Sequence, residues 1–288
     1  MNFTDKLLAS QESHESLLCI GLDPDPDRLP RGFEPRPRDI VRFNRAIIEA
    51  TSDLVCAYKP NLAFYEALGK KGWKVLHKTI KAIPAGVPVI LDAKRGDIGH
   101  TAAMYAKALF DELGGDAVTV NPLLGTDSLE PFLARRDRGV FVLCLTSNEG
   151  AQEFQIKNGL HLQIAARLRT WRRRNPNAGL VVGATHPAAL AEIRALAPDA
   201  LILVPGVGAQ GGDLMETLRA GQSHIGPRLI INASRSVIHA GRGSDFAEAA
   251  RVEAQRLRKE MLTCLRQIQS SKGSTRSSAK SSRKPARC

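Results

Sequence analysis

Cysteine is scarce in this chain: five residues, Cys19, Cys56, Cys144, Cys264 and Cys288, are scattered over 288 positions with no C-x-x-C pair. That excludes a disulfide framework, and three of the five fall in apolar runs read as buried strands, where a thiol serves as a small core group. The histidines form neither H-x-x-x-H nor H-E-x-x-H, so no zinc site is expected. No apolar run is long enough to span a bilayer, and the first residues, MNFTDKLLASQESHES, lack a signal-peptide core and cleavage site. A cytoplasmic location with no membrane contact is the resulting expectation. Only three tyrosines and two tryptophans are available to stack on bases, and no RNP, KH or zinc-knuckle pattern is present.

Basic charge, by contrast, is abundant, with a formal net charge of +12. About half of that excess lies in SSKGSTRSSAKSSRKPARC (270–288), where Lys272, Arg276, Lys280, Arg283, Lys284 and Arg287 face no acid. A Ser-rich basic stretch cannot bury apolar surface, so residues 269–288 are expected to form a disordered tail beyond a folded domain of residues 1–268. Nucleic-acid contact through that tail is conceivable on charge alone; a solvated extension without a dedicated partner is preferred.

The remaining composition, 43% hydrophobic and 24% charged, is that of an ordinary globular protein. Eight short apolar runs punctuate it, at 17–23, 54–61, 87–91, 117–122, 139–147, 179–185, 201–207 and 228–234. Helical patterns alternate with them, the clearest at about 39–52, 99–113, 159–174, 187–196 and 245–268. One α/β domain, a closed (β/α)8 TIM barrel of parallel strands, accounts for that alternation and for the length. An open doubly wound sheet is the other architecture the alternation permits, but no G-x-G-x-x-G follows the first strand.

The stretch VPVILDAKRGDIGHTAAMY (87–105) places Asp92, Lys94 and Asp97 within six positions at the end of the third run. Strand periodicity puts Asp92 and Lys94 on one side, the ammonium beside the carboxylate. Alone, D-x-K-x-x-D also fits an ordinary ion pair with a helix-capping aspartate. Other strand ends add Asp23, Lys59, Asn61, Asn121, Thr146, Ser147 and Asn148. In a barrel all of these converge on one rim, and lysines interleaved with aspartates are held protonated there. The glycines of PGVGAQGGD (205–213) open the backbone to a ligand at the seventh strand, and Arg235 follows the eighth. Late Gly-rich turns plus a guanidinium suit a phosphate dianion.

DAKRGDIGHTAAMYA, preceded by AYKPN and followed by TVNPLLG, LTSN, VPGVGAQGGD and NASRSV, resembles the orotidine 5'-phosphate decarboxylases, specifically the bacterial type 2 branch. The resemblance runs in order from about Gly21 to Arg235. It implies a lyase that converts orotidine 5'-phosphate to UMP and CO2 in pyrimidine biosynthesis without a cofactor or metal. It further implies that Lys94 donates the proton to C6 of the pyrimidine, flanked by Asp92, Asp97 and Lys59. Asp97 and Thr101 are then contributed to the partner's site in a homodimer. Asp23 and Lys59 contact the ribose hydroxyls, Ser147 the pyrimidine, and Gln210 and Arg235 the phosphate, with Pro205 and Gly211 completing the substrate site. The basic tail is not part of the family pattern.

Two other readings remain open from sequence. Mg2+-dependent phosphosugar aldolases and decarboxylases share the barrel and D-x-K-x-x-D, but place an acid where this chain has Lys59, and an ammonium repels a cation. A nucleic-acid-binding barrel would depend on the tail.

Overall fold

In the computed structural model, the backbone of residues 1–207 and 211–281 is described, with side chains up to residue 271. The chain opens with α1 (Phe3–Ser13), capped by the Asn2 side-chain carbonyl oxygen, which accepts from the Asp5 amide at 3.0 Å. It then enters β1 (Leu18–Gly21), the first of eight parallel strands. The others are β2 (Ala57–Lys59), β3 (Ile90–Arg95), β4 (Ala117–Val120), β5 (Gly139–Leu145), β6 (Ala178–Val182), β7 (Ile202–Pro205) and β8 (Leu229–Ala233). Each strand pairs with its neighbours in sequence, and β8 returns to β1.

The seam between β2 and β3 is closed by two backbone bonds, Tyr58 N–H to Pro88 at 2.9 Å and Asp92 N–H to Pro60 at 3.0 Å. Closure excludes the open doubly wound sheet. Eight strands as short as three to seven residues suffice because each is paired on both sides and covered on both faces.

Helices clothe the outside. Between β1 and β2 lies α2 (Pro37–Thr51), where Pro37 starts the helix and Ile40, Phe43, Ile47 and Ile48 form the buried stripe. Then come α3 (Leu62–Glu66) and α4 (Gly72–Ile80) after β2, α5 (Gly99–Ala106) after β3, and α6 (Thr126–Leu133) after β4. The outer layer is completed by α7 (Leu160–Arg174), α8 (Pro187–Leu196), α9 (Leu214–Gly221), the single turn α10 (Arg235–Ile238) and α11 (Phe246–Ser281).

Inside the barrel, Cys19, Ala57, Ile90, Ala117, Phe141 and Ile230 fill the lower layers. Phe3 of α1 plugs the bottom, its ring edge-on to Phe141 at 5.6 Å. Gly139 permits this: a Cβ there would lie 2.5 Å from the Phe3 ring. Cys19, Cys56, Cys144 and Cys264 are free and buried; burial pushes the Cys19 and Cys144 thiols up to about 12, so both remain neutral thiols at physiological pH.

Several boundaries depart from the sequence reading. β3 begins at Ile90 and runs through the charged residues to Arg95, instead of ending before them. α9 had no counterpart among the expected helices, although Asp213 with Glu216 three residues on is a capping signal; the Asp213 carboxylate accepts from the Glu216 amide at 2.8 Å. The backbone of α11 runs on past Ile268, the last buried residue among the described side chains, to Ser281. No proline interrupts it before Pro285. Residues 282–288, including the last part of the expected tail, lie outside the described residues.

Candidate active site

The C-terminal ends of the strands surround a cleft of about 530 Å³. Its floor is apolar, made by Leu143 of β5, Val181 of β6 and Leu203 of β7. Its walls are charged. Asp23 after β1, Lys59 ending β2, Asp92 and Lys94 on β3, Ser147 after β5, Pro205 ending β7 and Arg235 after β8 all face it.

Asp92 is the hub of this wall. Its Oδ2 accepts from Lys59 Nζ at 2.9 Å and its Oδ1 from Lys94 Nζ at 2.6 Å. Thr119 of β4 donates its hydroxyl to the same Oδ1 at 2.9 Å and accepts the Lys94 backbone N–H at 2.9 Å. Burial alone would push the Asp92 carboxyl up, but the two ammonium groups outweigh it and hold the group well below the usual carboxylate range. For Lys59 burial favours the neutral amine, and the fields of Asp92 and Asp23 overcome it, raising the group so that it remains an ammonium. Asp23 is itself oriented by the Asn61 amide, which donates to its Oδ1 at 3.1 Å.

Lys94 reaches this position by a backbone irregularity. Its φ is +48°, in the left-handed region, and the β3–β4 register shifts between Leu91 and Arg95. A non-glycine residue in that region costs on the order of 1–3 kcal/mol and persists where the surroundings impose it. Here the bond from its N–H to Thr119 holds the turn. The expectation of simple alternation along a regular strand is therefore corrected: Asp92 and Lys94 meet, but across a bulge. The Lys94 side chain stays half exposed, open to a ligand, whereas those of Lys59 and Asp92 are buried.

Not every expected residue faces the cleft. Asp97 sits in the turn before α5, its Oδ1 accepting from the Ile98 amide at 2.8 Å, and Thr101 is exposed on the first turn of α5; neither lines the cleft of its own chain. Gly211 is exposed, with φ +82°, and is not in the lining. Gln210 lies outside the described residues. The neighbouring backbone is tightly folded, since Val207 bridges Gly212 and a Cβ on Gly212 would meet that of Ala184 at 2.6 Å.

Three polar residues of the site went unnoticed in sequence as participants. Thr119 is a hydroxyl within a buried strand, which is a readable signal. Asn232 on β8 lines the cleft, and its side-chain nitrogen donates to the Ser234 hydroxyl at 3.3 Å. Gln155 braces the LTSN segment by accepting the Thr146 amide at 2.7 Å, a contact nine residues away that carries no local signature.

Both oxygens of Asp92 are thus taken by ammonium donors, which leaves this carboxylate poorly suited to ligate Mg2+ and weighs against the metal-dependent sibling class. Fold and site together define a (β/α)8 barrel with a charge-lined cleft at the C-terminal ends of its strands. Residues 16–251 match the model of the Orotidine 5'-phosphate decarboxylase / HUMPS family. Orotidine 5'-phosphate decarboxylase of Herpetosiphon aurantiacus is 57% identical over 261 residues, 88% of this chain and 95% of that protein. Its counterpart in Roseiflexus castenholzii is 52% identical over 273 residues, 93% of this chain and all (100%) of that one. Among solved structures, Leishmania donovani OMP decarboxylase superposes with a TM-score of 0.81 at 40% identity, covering 92% of this chain and 99% of that chain. The chain belongs to the orotidine 5'-phosphate decarboxylase family.

Proposed function

We propose that this enzyme decarboxylates orotidine 5'-phosphate to UMP without a metal or organic cofactor, with Lys94 as the proton donor. Breaking the bond from C6 to the carboxyl carbon releases CO2 and leaves the electron pair on C6 in an orbital in the ring plane. Ring π delocalisation cannot spread that pair, so fixed charges must stabilise it. The Lys94 ammonium is suited to do so as charge develops, and then to transfer a proton from Nζ to C6; water later reprotonates the amine. What supports this reading is the Asp92 carboxylate bridging Lys59 at 2.9 Å and Lys94 at 2.6 Å, which fixes the ammonium before substrate arrives.

Asp23 and Lys59 are suited to the ribose hydroxyls and Ser147 to the base. Arg235, Pro205 and the 206–212 turn suit the phosphate. Arg235 has no ion-pair partner among the described residues, so its guanidinium is free to take an anion. Replacing it with alanine is expected to raise KM for the phosphorylated substrate roughly 10- to 150-fold, the range of a lost charge-assisted bond of about 1.5–3 kcal/mol. Turnover of the unphosphorylated nucleoside should change little. Equal losses on both substrates would remove Arg235 from the phosphate site.

Asp97 and Thr101, turned away from their own cleft, are proposed to complete the site of a second subunit in the cytoplasmic homodimer. Large apolar side chains exposed nearby, Ile98 and Met104 beside them and Leu123 and Leu124 just before α6, support a covered face here. α5 and α6 pack together. Mixing inactive Lys94→Ala with inactive Asp97→Ala should restore up to about a quarter of the parent activity, because half of randomly mixed dimers carry one intact site out of two. No recovery after verified subunit exchange would show that each chain's site is self-contained.

A further inference from the structure

On the outer surface, away from the barrel mouth, α2 and α4 pack side by side with a recess of about 670 Å³ between them. One wall is a stripe of arginines, Arg38, Arg42 and Arg45, and the other a stripe of lysines, Lys71, Lys74 and Lys78. Both follow helical spacing, i, i+4, i+7 on one helix and i, i+3, i+7 on the other, so each row faces the groove. Val41 and Val75 make the groove partly apolar, and Glu49 is the sole acid lining it. Arg42 is engaged by Asp39 at 3.4 Å and by the Gly32 carbonyl at 3.1 Å. None of the other five cations has an ion pair among the described residues. The decarboxylase reaction uses none of these residues.

We infer that this groove binds the phosphate backbone of a single-stranded nucleic acid. Each row spans about 10.5 Å at 1.5 Å per residue, with three cations. A stacked strand carries one phosphate per ~3.4 Å, so about three phosphates fall along either row. An extended acidic peptide turns successive side chains to opposite faces and offers a wall only one carboxylate per ~6.6 Å, half that density. Two helices in contact leave a surface groove between their side-chain rows, a track for one strand along the two rows and not a cleft for a duplex. Arginine on one wall supplies forked donors that match phosphate oxygens. The chain's own C-terminal stretch is ruled out as the occupant by sign, because residues 270–288 carry six cations and no acid.

The test is fluorescence anisotropy of the full chain with a fluorescein-labelled oligouridylate of about 12 nucleotides, titrated between about 50 and 200 mM salt. Saturable, salt-sensitive binding is expected. Combined Arg38→Glu, Arg45→Glu, Lys74→Glu and Lys78→Glu should weaken it at least tenfold and flatten the log–log salt slope by roughly 3, at about 0.7 for each phosphate no longer neutralised. Decarboxylase kcat/KM should remain at the parent value, which also verifies folding. The milder pair Arg45→Gln with Lys74→Gln should flatten the slope by about half as much. Both effects should persist in a chain truncated before residue 270, which separates the groove from the basic tail. The inference is overturned if neither variant alters binding, if truncation alone abolishes it, if no binding occurs at the lowest salt, or if a polyglutamate peptide of equal length displaces the RNA equally well.

Discussion

Lys94→Ala is expected to lower kcat by at least about 10⁴-fold while leaving the fold intact. Under the proposed mechanism two effects disappear together: the ammonium that stabilises developing charge at C6, and the acid that protonates it. Each is ordinarily worth about 10²-fold or more. Stability should change little, because the side chain is half exposed and Asp92 retains Lys59 at 2.9 Å. The measurements are single-turnover decarboxylation and a denaturant midpoint. Residual activity within tenfold of the parent would remove Lys94 from the chemistry.

Asp92→Ala should damage both activity and folding. The carboxylate is buried between two ammonium groups, and its removal leaves buried Lys59 with only the more distant field of Asp23. Breaking one side of a buried pair costs about 3–5 kcal/mol. A second substitution, Lys59→Met, should recover much of that stability by removing the stranded charge, and none of the activity. The pH dependence follows from the same pairing. Because the folded Asp92 carboxyl titrates below its unfolded value, its contribution is present above about pH 3.9 and is lost as pH falls below that toward the depressed folded value. That component of acid unfolding should be absent in Asp92→Ala. A midpoint unchanged from the parent would show that the pair contributes nothing net.

The barrel was legible because its signal is repeated: eight apolar runs, each ending in polar residues, in a chain of suitable length. The ends themselves were less so. Strand β3 was expected to stop at Leu91, since charge usually marks a strand's exit, yet Asp92 is buried inside the ladder because Lys59 from β2 neutralises it. The partner lies 33 residues away in the chain, beyond any local pattern. For the same reason the left-handed Lys94 and its anchor Thr119 could not be read from D-x-K-x-x-D, although the three charged residues could. Apolar members of the cleft, Leu143, Val181 and Leu203, look like any inward strand residue; only their height in the barrel places them under a ligand. Asp97 was legible in D-x-K-x-x-D and Thr101 came through resemblance alone; the position of both outside their own cleft is one that a single chain's periodicity does not encode.

The most direct measurement is the disappearance of orotidine 5'-phosphate absorbance with enzyme stripped of metal by chelation and dialysis. UMP and CO2 formed at the undiminished rate are the predicted result, since the charges of Lys59, Asp92 and Lys94 are all supplied by the chain. Activity abolished by chelation and restored by Mg2+ would contradict it.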